Sequence, residues 1–229
     1  MRCYSLSRKK ARVYAMKKTL YSLMLDDDVV REVDALAHRR GVSRSGLINE
    51  ILADYVEVMT PERWISDVFR SVEQLLSASR ELVPFVVPNA MSMSVKSSLA
   101  YKYRPTVKYE VEFHRPDETG SGSLSVVFRT QSEALIQAMT RFFRLWKQTE
   151  DAWFARRGEP PRQYALYDGR FVRSIVVDRP ETGDDAARAI VDYVQNFDQL
   201  MKAYLADERT AGQLPEAYAA AMARQSVIL

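Results

Sequence analysis

Seven basic side chains and no acidic one fall within the first 25 residues: Arg2, Arg8, Lys9, Lys10, Arg12, Lys17 and Lys18. Cations at this density suit a phosphate polyanion, because each one that neutralises a phosphate releases a condensed counterion. Residues 61–229 hold 22 basic and 22 acidic side chains, so the net charge of +3 arises entirely within residues 1–60. Other chemistries find few residues to work with. His38 and His114 are the only histidines and Cys3 the only thiol, so no clustered zinc or nickel site is expected. Asp26 to Asp28 and Asp184-Asp185 sit at helix starts, where carboxylates meet the positive end of the dipole, and do not read as acid/base pairs. Gly120-Ser121-Gly122 falls between two strand patterns and not between a strand and a helix, so it is no phosphate cradle. Without a Ser/His or Cys/His pairing the chain is not expected to be an enzyme, and no cofactor is expected.

A group of tyrosines, Tyr101, Tyr103, Tyr109, Tyr164 and Tyr167, lies on strand patterns beside Lys102, Arg104 and Lys108. They could line an aromatic ligand pocket or a protein-docking surface in a sensing domain. Ordinary strand composition is the simpler account, since tyrosine fits a half-buried pleated surface.

The elements that would carry the first group of charges lie in residues 17–56. Lys17 to Leu25 reads as a short strand, with Tyr21, Leu23 and Leu25 on one face and Lys18, Leu20, Ser22 and Met24 on the other. Asp26 to Asp28 then open a helix with Val30, Val33, Leu36 and Ala37 on its buried stripe. Gly41 takes the left-handed position after it. Ser43 caps a second helix whose apolar face is Leu47, Ile48, Ile51, Leu52 and Tyr55. About forty residues in three short elements cannot close a core alone, so this unit calls for a partner subunit.

This order resembles the ribbon-helix-helix superfamily, the Arc and Met repressor type of DNA-binding module. Leu25, Val33, Leu36-Ala37, the turn Gly41-Val42-Ser43-Arg44-Ser45, Leu47-Ile48 and Tyr55-Val56 carry the resemblance. It implies a homodimer in which the two chains' strands pair antiparallel and enter the major groove of double-stranded DNA. Lys18, Leu20, Ser22 and Met24 are then the base-reading positions. Ser43, Arg44 and Ser45, at the start of the second helix, contact a phosphate. Arg8, Lys9, Lys10, Arg12 and Lys17 form a basic arm on the same DNA. Leu20 and Met24 depart from the polar side chains usual on such a ribbon; they can touch thymine methyls but cannot hydrogen-bond a base.

Further along, Thr60-Pro61-Glu62 starts a helix with an apolar stripe from Trp64 to Leu76. Residues 82–94 hold two prolines and read as an extended connector. From Val95 a period-two pattern begins: Val107 to Phe113 alternates with charged residues, and Leu124 to Phe128 forms its partner strand. Thr130 to Glu133 reads as a capping box opening a long helix that ends at Gly158. Asp168-Gly169 marks a two-residue hairpin, a helix follows from about Gly183, and Pro215 starts a short last one.

The expected organisation is therefore α+β: a basic arm (1–16), a ribbon-helix-helix domain (17–59), a linking amphipathic helix (60–81), a connector (82–94) and a C-terminal domain (95–229). In that last domain helices cover one face of an antiparallel sheet in ββαββα order. The absence of a membrane span and of a secretory leader, together with the lone cysteine, leads us to expect a cytoplasmic protein. The function expected is that of a homodimeric transcriptional repressor, with higher assembly left open. Its C-terminal domain would sense a small-molecule or protein ligand, or serve assembly. The alternatives are a centromere-binding partition protein of a plasmid or mobile element, and a dimeric adaptor that binds protein and not DNA.

Overall fold

In the computed structural model, residues 19–86, 91–100, 104–114, 122–167, 169–175, 183–224 and 229 are described. Two helices come first, α1 (Asp27–Arg40) and α2 (Arg44–Tyr55). Gly41, with φ +66°, closes α1 in the left-handed conformation, and its N–H bonds back to His38 O. Ser43 caps α2 by accepting a hydrogen bond from Gly46 N at 3.1 Å. Ala37, Leu47 and Ala53 are the buried residues of this pair, whereas Ile51, Leu52 and Tyr55, expected on a buried face, are exposed in the single chain. Residues 19–26 form no strand, although one was expected from Lys17 to Leu25; Lys17 and Lys18 lie outside the described residues. A lone extended segment has no ladder to join, and a strand exists only once another chain supplies its hydrogen bonds.

The remainder is one sheet covered by helices. α3 (Pro61–Leu76), capped by Thr60 and opened by proline, runs into the core and does not merely link: Ile65, Val68, Phe69, Val72 and Leu76 are buried. Six strands follow, β1 (Val83–Val86), β2 (Ser92–Ser98), β3 (Thr106–Phe113), β4 (Gly122–Phe128), β5 (Tyr164–Tyr167) and β6 (Arg170–Ile175). They pair antiparallel throughout, in the order β1-β2-β3-β4-β6-β5. α4 (Glu133–Arg157) separates β4 from β5, and α5 (Gly183–Ala206), a 3-10 turn (Glu208–Gln213) and α6 (Leu214–Met222) follow β6.

The expected ββαββα order is thus corrected to ββββαββαα, because the connector 82–94 contains β1 and the start of β2 and α6 follows α5. Its prolines exclude helix but not an edge strand, and Pro84 lies in β1 at the sheet edge. The expected capping box is also corrected: Ser132, not Thr130, caps α4, accepting from Leu135 N at 3.4 Å.

Inward residues of the sheet meet the helices through aromatic contacts. Tyr109 and Phe171 pack on Phe197 of α5, Phe128 on Phe143 of α4, and Phe113 on Trp64 and Phe69 of α3. The other face carries Ser94, Lys96, Lys108, Glu110, Ser123 and Arg170, giving the alternation of a sheet wet on one side.

One glycine is required by close approach. A Cβ on Gly122 would stand 2.3 Å from the carbonyl oxygen of Glu112 across the β3–β4 ladder. Gly122→Ala is expected to cost roughly 1–3 kcal/mol by overpacking against backbone that cannot yield. A urea midpoint equal to that of the wild type would contradict this.

Candidate nucleic-acid interface

The segment before α1 presents its side chains unevenly. Leu20 and Met24 are 95% and 101% exposed, while Leu23 and Leu25, of opposite parity, are 60% and 44% exposed. Tyr21, of the same parity as Leu23 and Leu25, is 81% exposed, so the single chain covers neither parity. Ser22, between Leu20 and Met24, is exposed as well. Exposed apolar residues continue through Val29, Ile51, Leu52, Tyr55, Val56, Val58 and Met59. So much uncovered apolar surface in one short region marks an interface.

At the start of α2, Ser43, Arg44 and Ser45 stand together on the surface. Ser43 Oγ satisfies Gly46 N, and the N–H groups of Arg44 and Ser45 meet no acceptor among the described residues. A helix N-terminus so arranged can take a phosphate oxygen. Arg44 itself is engaged. Its Nε and Nη2 donate to the two carboxylate oxygens of Asp34 on α1. Hydrogen bonding and the charge of Asp34 raise the pKa of this guanidinium further. A second α1–α2 bridge joins Arg40 to Glu50 at 3.3 Å, and Arg31 pairs with Asp28 at 2.8 Å. Residues 19–60 contain four arginines against eight carboxylates. The charge pairing was not foreseen, although Asp34 and Arg44 flank the turn at a separation that returns α2 across α1.

Residues 22–57 match the family model of the ribbon-helix-helix protein, copG family. The match spans the pre-helical segment, α1 and α2 of the present chain, which together form its ribbon-helix-helix segment. No curated protein and no solved structure matches the chain, and the C-terminal domain has no family match. The ribbon-helix-helix segment supports DNA binding. Of the residues assigned to contact DNA, Arg8, Lys9, Lys10, Arg12, Lys17 and Lys18 lie outside the described residues.

Among the described residues the tyrosine group does not come together on one strand edge. Tyr101, Lys102 and Tyr103 lie outside the described residues. Tyr109 is buried on β3, its hydroxyl donating to Asp198 Oδ1 at 2.8 Å, whereas Tyr164 and Tyr167 stand on β5 at the far edge of the sheet. In place of a tyrosine pocket, the domain buries an ion pair. Arg173 of β6 and Glu150 of α4 are 1% and 0% exposed, with Arg173 Nε 3.2 Å from Glu150 Oε1 but off-axis for a hydrogen bond. Tyr218 donates to Glu150 Oε1 at 3.0 Å, Tyr193 to Oε2 at 3.3 Å, and Trp146 Nε1 to the Tyr193 hydroxyl at 2.9 Å. Arg173 Nη2 and Arg162 Nε converge on the main-chain oxygen of Leu229 at 2.5 and 3.2 Å. Burial, then the charge of Glu150, pushes the Tyr193 and Tyr218 phenols up, so both remain donors. No helix among the described residues is long and apolar enough to cross a membrane.

Proposed function

We propose that this chain is a homodimeric, sequence-specific DNA-binding protein acting as a transcriptional repressor, with residues 61–229 as a sensing or assembly domain. The observation that carries the reading is the family match at residues 22–57 over a pre-helical segment that is exposed and unpaired. Two such segments complete each other as an antiparallel ribbon, burying Tyr21, Leu23 and Leu25 against the helices. Lys18, Ser22 and the methyl-reading Leu20 and Met24 then face the groove. Ser43, Arg44 and Ser45 sit on the flanking backbone. Contacts of the first kind carry sequence information and those of the second fix position.

Single variants separate the two roles. Arg44→Ala is expected to weaken binding to every duplex and to lower the slope of log K against log salt by about 0.9 for each phosphate left without its cation. Ser22→Ala is expected to change the preference among duplexes at constant slope. Both are read by fluorescence anisotropy at stepped salt. An unaltered slope in Arg44→Ala removes the phosphate assignment, and an unaltered preference in Ser22→Ala removes the groove assignment.

A further inference from the structure

We propose that Asp34 limits the sequence-independent grip of the protein on DNA by holding Arg44 in a two-point ion pair that a phosphate must break. The inference rests on the DNA-binding reading above and adds to it a residue that does not itself touch DNA. A guanidinium presents the same planar fork to a carboxylate and to a phosphate. Arg44 cannot offer both Nε and Nη2 to a phosphate while both are spent on Asp34.

The placement makes the competition local. Arg44 is the first residue of α2, next to its cap Ser43 and to the N–H groups an anion would meet, whereas Asp34 reaches over from the preceding helix. A paired arginine also contributes less to counterion release, since its charge is already offset. Among the described residues two of the three other arginines of this segment are engaged as well, Arg39 being the exception. Arg40 is bridged to Glu50 and Arg31 to Asp28, within a stretch where carboxylates outnumber arginines two to one. Asp34 therefore acts as a positioning residue that withholds a cation until a backbone phosphate is close enough to replace it. Random duplex, which repays the exchange with no base contact, is disfavoured.

Asp34→Asn tests this, because asparagine keeps the size and one acceptor for Arg44 but removes the charge. The full-length protein and the variant are titrated onto labelled random duplex between low and moderate salt, with thermal unfolding recorded in parallel. The expected result is about three- to tenfold tighter binding and a salt slope steeper by about 1.8, as for one more phosphate neutralised by each chain of the dimer. The gain should shrink to under about twofold in an Arg44→Ala background, as a cycle through a shared partner requires. A merely structural Asp34 would shift the melting temperature but leave the slope in place, which overturns the inference. So does an equal gain with and without Arg44. A wild-type protein with no salt-dependent duplex binding overturns the DNA-binding reading as a whole; wild-type binding that Asp34→Asn leaves unchanged overturns this inference alone.

Discussion

Glu150→Met is expected to destabilise the C-terminal domain by about 3–5 kcal/mol, a large part of a typical domain's total stability. The carboxylate is fully buried and supports one guanidinium and two phenols. Its removal leaves Arg173 charged in the interior without its carboxylate partner; burial opposes that charge, and Glu150 with the surrounding tyrosines now outweighs it and holds the pKa up. The double variant Glu150→Met/Arg173→Met should be less damaged than either single one, since a buried pair replaced by packed apolar groups sheds its desolvation penalty along with its attraction. Urea denaturation followed by near-ultraviolet circular dichroism of Trp146 and its neighbours reads the change. A single variant within about 1 kcal/mol of wild type, or a double variant as unstable as the sum of the singles, contradicts the account.

Replacing Arg8, Lys9, Lys10 and Arg12 by alanine is expected to remove most of the salt-dependent affinity for DNA. The residues from 19 to 60 carry twice as many carboxylates as arginines, and three of those arginines are paired within one chain. Most of the phosphate-neutralising charge is then expected from the first 18 residues, which hold seven basic side chains and no acidic one. Four cations per chain make eight per dimer, so the slope of log K against log salt should fall by as much as about 7, and affinity at moderate salt by at least about a hundredfold. A variant that retains the wild-type slope would show that the arm stays off the DNA.

The sequence disclosed the N-terminal unit because its signals are local. Gly41 needs a left-handed backbone, Ser43 caps the next turn, and Pro61 follows the capping Thr60; all three are observed. Parity assigned Tyr21, Leu23 and Leu25 to a core face, whereas in the single chain this segment forms no strand and both parities are exposed. In the C-terminal domain, α4, α5 and the hairpin around Gly169 were legible from periodicity and turn chemistry. β1 and the start of β2 were not: their prolines and serines exclude helix without advertising a strand, and only the neighbouring ladder makes them one. The buried pair was missed although its signal existed. Arg173 shares the parity of Phe171 and Ile175, and Glu150 lies one turn beyond Trp146. A charge on an apolar face of each of two elements is the mark of a partnership between them. The Asp34–Arg44 bridge left no such mark, since both residues also suit a solvated surface.

The measurement that tests the central claim most directly is titration of the full-length protein onto labelled duplex from its own upstream region, against random duplex competitor, at stepped salt. The account predicts saturable binding by a dimer that survives competition and weakens steeply as salt rises. Binding no tighter than to random duplex would contradict it. The apolar ribbon face of Leu20 and Met24 would then belong to a dimeric adaptor with a protein partner.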